Sequence, residues 1–328
     1  MVAEVNAGSP PLILKDSKII DWLIKLPKQF TLEESKTLWR ELDLFQEVFD
    51  AFFSLLLRKK VVIDAPSVKG EEWSAFGWQE AHAFHEATRD YPFLDMGKPS
   101  GFVDDESRME DFKSASLPPP IYQKFDAKIK YPLEKVESFT GLDELIENSF
   151  EKGKTTLKHF SVLFDLCFGE RKKVDFGIQG HFLQKAIPSG GARHTTEVFF
   201  VYFNNAAMEN GIYHYNVEEN SLDQLKKGNY FEEFFDATLD LFTKYTKRPF
   251  GLVIFTCLHE RAMWRYRDSR SWRAPMIDIG HAMMILRTVS QKLGFDYYSY
   301  QKFKDKEVSE LLELDNIRQT PLYVTTLV

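Results

Sequence analysis

Apolar residues recur at three- and four-residue intervals through Leu38, Leu42, Phe45, Phe49, Phe52 and Leu56, the spacing that turns one helical face toward a core. Thr31-Leu32-Glu33-Glu34 precedes this run in capping-box form, with Thr31 placed to cap and Glu34 to reach back. Val61-Val62-Ile63 predicts a short strand, and Trp73 to Tyr91 a helix with Phe76, Trp78, Ala81 and Phe84 apolar. Farther on, the pattern predicts helices over 142–150 and 155–168. The second turns Phe160, Leu163, Phe164 and Cys167 to one side and ends at Gly169. Strands follow at Val198–Phe203 and Gly211–Tyr215, the latter alternating as in an antiparallel pair. A helix over 230–245 comes next, then a strand over Phe250–Cys257 that is apolar on both faces. A helix over Met276–Leu293 stopped by Gly294 and a terminal strand over Leu322–Leu327 complete the order. Helices mixed with antiparallel strands indicate the α+β class.

Composition changes between Gly97 and Pro132, where Gly, Ser, Asp and Lys accumulate around Pro118-Pro119-Pro120. Consecutive prolines favour an extended backbone and forbid a helix, so this stretch reads as a connector whose length suits wrapping a partner subunit. The expected organisation is a small helical, winged-helix-like region over 1–96, an extended connector over 97–138 and a larger domain over 139–328.

With 328 residues the chain can bury a full core, and 29 Phe make that core aromatic. A formal net charge of −7 argues against a nucleic-acid partner, which needs concentrated positive charge. Cys167 and Cys257 both lie in apolar runs, as buried thiols of a reducing cytoplasm do. No apolar stretch reaches the length of a membrane span, so no membrane partner is expected.

Candidate chemistry centres on Pro188-Ser189-Gly190-Gly191-Ala192-Arg193-His194, running directly into an apolar strand. Adjacent glycines let backbone N–H groups approach a planar or anionic ligand, and Arg193 offers a fork of donors for a phosphate or ring carbonyl. Asp278-Ile279-Gly280-His281 places a glycine inside a helix, where it costs about 1 kcal/mol against Ala. Either a close backbone approach or tight helix packing around a core histidine explains it. Trp264-Arg265-Tyr266-Arg267-Asp268 is either an exposed salt-bridged turn or a phenol and guanidinium set for proton transfer and anion binding. His82 and His85 have no third ligand at a telling distance and read as packed side chains. Arg171-Lys172-Lys173 reads as a solvated end or a phosphate contact.

Taken in order, these pieces resemble the FMN-dependent nitroreductase superfamily, and within it the SagB-type azoline dehydrogenases of peptide maturation. The resemblance covers residue 139 to the end. It rests on the 188–194 loop, Gly211-Ile212-Tyr213-His214-Tyr215, Asp278-Ile279-Gly280-His281, and Leu311-Leu312-Glu313-Leu314 followed by Pro321-Leu322-Tyr323-Val324. Trp78 to His85 is similar to the leading region of longer members. The resemblance implies a nitroreductase-like α+β fold, a homodimer, and FMN at the subunit interface. It makes Ser149, Pro188, Ser189, Gly190, Gly191, Arg193, Gly280 and His281 cofactor-binding residues and Arg265 and Tyr266 the catalytic pair. It implies a precursor peptide as substrate and other peptide-modifying enzymes as partners. An azoline would lose a proton to a base and a hydride to FMN, with O2 reoxidising the flavin.

Two departures from the family pattern stand out. Arg265 occupies the lysine position of a Lys-Tyr pair, and arginine stays protonated where a buried lysine can act as a base. The Arg-Arg-Ser-x-Arg entry falls at Glu147-Asn148-Ser149-Phe150-Glu151, where only the serine matches, leaving Lys152, Lys154, Arg171 or Lys302 as substitutes. The alternatives to an azoline dehydrogenase are a flavin-free scaffold subunit of a peptide-modifying complex and an NAD(P)H-dependent nitroreductase.

Overall fold

The capping box at Thr31 forms as expected: Thr31 Oγ1 accepts from Glu34 N, and the Glu34 carboxylate accepts from Thr31 N. It opens the second helix of an N-terminal unit in a computed structural model. The structure describes residues 2–3, 12–27, 30–58, 61–62, 69–136, 155–177, 180–238 and 248–328. These divide into two units, Met1–Phe93 with Arg267–Arg270, and Leu94–Tyr266 with Ser271–Val328.

In the first unit, β1 (Val2–Ala3) pairs antiparallel with β2 (Leu12–Ile13). Helices α1 (Ser17–Lys25), α2 (Leu32–Glu41) and α3 (Phe49–Arg58) enclose a core of Trp22, Trp39, Phe49 and Leu56. The buried Trp22 indole is satisfied by the Ser35 carbonyl at 2.9 Å. No strand forms at Val61-Val62. Both N–H groups turn back onto the Leu56 carbonyl and close the end of α3, while Ile63 lies outside the described residues. The winged-helix reading loses that strand. The single helix expected over 73–91 is two, α4 (Lys69–Ala75) and α5 (Gln79–Thr88), divided at Gly77, whose φ of 73° is left-handed. The rings of His82 and His85 lie against Trp73, and no metal-binding cluster occurs among the described residues.

The second unit begins with a correction. Residues Pro99–Ala115 form a 17-residue helix, α6, where extended backbone was expected. Pro99 occupies the first helical turn, where a missing N–H costs nothing, so a residue counted toward a linker is a helix start. Gly101, Asp105 and Met109 form its buried stripe. After it come the three prolines, then β3 (Ile129–Pro132). The helix expected over 142–150, with Ser149, lies outside the described residues. Leu157–Phe160, a π turn over Ser161–Asp165, and Leu166–Phe168 run on as α7, ended at Gly169 as expected.

Hairpin strands β4 (Glu170–Asp175) and β5 (His181–Lys185) follow, then β6 (Thr196–Tyr202), β7 (Gly211–Asn216), β8 (Ser221–Lys227) and α8 (Phe231–Ala237). The chain ends in β9 (Gly251–Leu258), α9 (Glu260–Arg265), α10 (Arg273–Lys292), β10 (Tyr297–Tyr300), α11 (Asp305–Leu312) and β11 (Gln319–Leu327).

Seven strands form one sheet in the order β10-β11-β9-β6-β7-β8-β3, with every neighbouring pair antiparallel. Period-two alternation sorts β6 onto two cores. Val198, Phe200 and Tyr202 pack with Phe160 and Phe164 of α7 and Ile279 and Leu286 of α10. Phe199 and Val201 pack on the other face with Phe234 of α8 and Val308 and Leu312 of α11. Helices thus cover both faces of an antiparallel sheet. Cys167 and Cys257 are free and buried, and no described helix is long and apolar enough to cross a membrane.

Candidate functional site

The start of β6 and the end of β9 are neighbours, with Thr196 opposite Cys257. Because the strands run antiparallel, the loop entering β6 and the helix leaving β9 emerge at the same end of the sheet. This register brings the 188–194 loop to α9.

The loop is a one-turn 3₁₀ segment at Gly190–Ala192 with left-handed backbone at Gly191, Ala192 and His194 (φ 58°, 53° and 45°). Two of these carry side chains, a conformation that costs of order 1–2 kcal/mol per residue. Asp278 of α10 holds it. Ser189 Oγ donates to Asp278 at 2.6 Å and accepts from His194 N at 2.9 Å, while Gly190 N donates to the same carboxylate at 3.1 Å. Burial raises the Asp278 pKa, and its bonds from Ser189 and Gly190 oppose that rise. Ala192 N bonds Ser189 O and Arg193 N bonds Gly190 O. The expectation of loop N–H groups free for a ligand is therefore corrected at 190, 192, 193 and 194: they are spent on folding the loop.

What the loop presents instead is a glycine surface and a guanidinium. A Cβ built on Gly191 would lie 1.8 Å from the Tyr266 phenol oxygen, so the phenol rests on the bare α-carbon. Arg193 Nε donates to Gly191 O at 3.0 Å, and its guanidinium lies 4.1 Å from the Phe182 ring centroid and interacts with the Tyr266 side chain. Burial lowers the Arg193 pKa, yet arginine remains a cation in the working range. Arg265 is paired: its Nη2 donates to both Asp105 carboxylate oxygens at 2.8 and 2.9 Å. Arg265 is thus salt-bridged, though in a partly buried pair at a helix end and not in the exposed turn expected, while Tyr266 meets the loop.

Beneath the loop lies a buried charge cluster that sequence reasoning missed. Arg261 of α9 donates to His194 O at 2.7 Å and to Glu197 at 2.5 Å, and His214 Nε2 meets the other Glu197 oxygen at 3.0 Å. Burial pushes the Glu197 carboxyl up, but Arg261 and His214 outweigh it and hold it below the usual range. Lys185 joins the cluster, with its pKa lowered to about 8 by burial. His194 stays neutral, its pKa driven down to about 3 by burial and Lys185, and Nε2 reaches Leu183 O at 2.8 Å. A glutamate inside the apolar run 197–203 was the signal for this cluster.

Gly280 and His281 sit on the exposed side of α10, and nothing lies within 4 Å of a Cβ built on Gly280. His281 is therefore not a core histidine, and among the described residues the helix face at Gly280 is open. Pro188 is exposed, and Ser189, Gly190, Arg193, Arg265 and Tyr266 are partly buried. Of the phosphate candidates, Arg171 is taken: it bonds the Asp165 carboxylate and the Val136 carbonyl, both at 3.0 Å. Ser149, Lys152 and Lys154 lie outside the described residues, and Lys302 falls between β10 and α11. The exposed glycines and Arg193 suit a planar group with ring carbonyls; no described residue of the matched motifs forms a phosphate clamp.

No family profile matches the chain. Its sequence is 28% identical over 233 residues to the trifolitoxin-processing protein TfxB of Rhizobium leguminosarum bv. trifolii, a match spanning 68% of this chain and 62% of that relative. Its fold is similar to that of a putative nitroreductase from Anabaena variabilis, with a TM-score of 0.56 at 18% identity over 75% of this chain and 45% of that one. A weaker likeness, TM-score 0.45 at 16% identity, covers 69% of this chain and 92% of a chain in the Escherichia coli microcin synthetase McbBCD complex with truncated pro-MccB17 bound. The chain spans less than two thirds of the length of the first two proteins. The nitroreductase resemblance read from the motifs is thereby met in the fold: this is a nitroreductase-fold chain with a trifolitoxin-processing protein as a sequence relative.

Proposed function

We propose that the chain is an FMN-dependent oxidoreductase that tailors a ribosomally made peptide by dehydrogenating azolines to azoles. The observation that carries this reading is the Tyr266 phenol seated on Gly191 beside Arg193, at the loop where the family motifs converge. Azoline oxidation removes one proton and one hydride equivalent from the peptide ring. FMN, when bound, supplies the two-electron acceptor. The remaining work falls to the protein. Gly280 leaves backbone open to a flat ring, Arg193 offers donors to its carbonyl edge, and the Tyr266 hydroxyl, seated on Gly191, takes or gives a proton at its oxygen. Arg265, cationic and paired with Asp105, serves charge balance and not proton abstraction. Met276, Ile277 and Met284 expose apolar surface along the Gly280 face of α10, which supports a homodimer built on that helix.

An absorption spectrum of the purified protein, with mass spectrometry of whatever heat releases, tests the cofactor. The expected result is a flavin band and released FMN. Anaerobic mixing with an azoline-containing peptide should then bleach that band, and Tyr266→Phe should slow bleaching 10²- to 10⁴-fold, the usual scale for one proton-transfer group. Bleaching by NADPH and not by peptide assigns an ordinary nitroreductase. A second reading, a flavin-free scaffold subunit, draws on the engaged Arg171 and the spent loop N–H groups. Protein that stays colourless after soaking in FMN would establish it in place of the enzyme.

A further inference from the structure

Residues 105–120 lie upstream of the motifs that carry the flavoprotein resemblance, yet they bind three of the six residues of α9. Asp105 takes Arg265 Nη2 on both oxygens, at 2.8 and 2.9 Å. Ser116 takes the Trp264 indole on its carbonyl at 3.2 Å and its hydroxyl at 3.1 Å, and Pro120 O takes Arg261 Nε at 3.0 Å. The stretch expected to wrap a partner subunit wraps its own site helix. Only the Asp105 contact is a clasp of full charges. It also acts nearest the phenol, since Arg265 is the last residue of α9, Tyr266 is the next, and the guanidinium lies 5.1 Å from the phenol ring centroid.

We propose that Asp105 is a positioning residue for Tyr266, holding Arg265 so that the phenol stays on Gly191 and faces a neutralised ion pair in place of a bare cation. This rests on the reading of Tyr266 as the proton-handling group. Asp105 is suited to the task because it is itself fixed, 5% exposed within the Gly101–Asp105–Met109 stripe of α6. The charged groups placed at the phenol include Arg193 from the loop, Arg265 from α9 and Asp105 from α6. Removing the carboxylate leaves an uncompensated guanidinium, which stabilises phenolate. Removing the guanidinium leaves an uncompensated carboxylate, which opposes it.

The test places meta-fluorotyrosine at position 266 of the full chain and follows its fluorine resonance through a pH titration. Asp105→Asn should lower the phenol midpoint and Arg265→Gln should raise it, each by about half a unit or more. The double variant should return close to the parent, and Arg265→Lys, which keeps the cation, should hold the midpoint. If both single variants leave the resonance and its midpoint unchanged, or shift them the same way, the clasp is merely structural and the proposal fails. Should Asp105→Asn not fold, the contrast between Arg265→Gln and Arg265→Lys decides alone. The titration needs no flavin, so absence of FMN would sink the proposed activity without touching this result. Where turnover is present, Asp105→Asn should lower kcat with little change in KM.

Discussion

Adding one methyl group at Gly191 would drive a carbon to within 1.8 Å of the Tyr266 oxygen at a left-handed backbone position. Gly191→Ala therefore displaces the phenol without adding or removing charge. A displacement near 1 Å at a reacting group costs on the order of a hundredfold, so peptide-driven flavin bleaching is expected to fall by about that factor, with a lowered thermal midpoint because Ala at left-handed backbone costs of order 1–2 kcal/mol. His194 makes a separate prediction about stability. Its folded pKa of about 3 lies below the ordinary 6.5, so between those values the unfolded chain binds the extra proton. Stability contributed by neutral His194 is full above about pH 6.5 and drains away as pH falls toward 3. His194→Gln can still donate to Leu183 O and should flatten that acid limb in urea titrations at stepped pH. An acid limb as steep as the parent's would show that the proton is taken up elsewhere. At this scale the sequence was partly legible. Gly191 and Tyr266 stood out locally, whereas the Asp105–Arg265 clasp spans 160 positions and leaves no local mark.

Elements were easier to read where burial enforces a period. β6 and β9 emerged from their apolar runs because every residue in both is buried. The strand expected at Val61–Ile63 failed because two β-branched residues next to a helix end serve equally well to close it. Helix α6 was hidden by reading the whole of 97–138 as a connector from its Gly, Ser, Asp and Lys content and its three prolines, though Pro99 in a first turn is a helix-starting signal. The central position of β6 gives a measurable expectation. Phe200 is fully buried, packed against Phe160 and Phe164, so Phe200→Ala should cost about 3–5 kcal/mol in equilibrium unfolding. A loss under 1 kcal/mol would mean that α7 is not seated on the sheet as described.

For the whole molecule, the α+β class and the antiparallel sheet were readable, and the fold likeness agrees with the class. What the pattern could not supply was the use of exposed apolar residues, because exposure itself is invisible in a one-dimensional pattern. Ile277 is 57% exposed on the open face of α10. If that face joins two copies, Ile277→Asp should halve the mass measured by light scattering while leaving the far-ultraviolet spectrum intact. A parent protein that is already monomeric would remove the homodimer from the proposal.

The three contacts from residues 105–120 to α9 also bear on the order of assembly. They join positions 160, 148 and 141 apart, and contacts of such long range are the slow ones, since the intervening chain must be gathered first. On the ribosome, no nascent chain shorter than 266 residues can build the site, however much of the sheet has already paired. In refolding from urea, a fluorine label at Tyr266 is thus expected to reach its native signal after the bulk of the strand signal has returned. The corner around Tyr266 would then be set after the strands β6 and β9 that carry it.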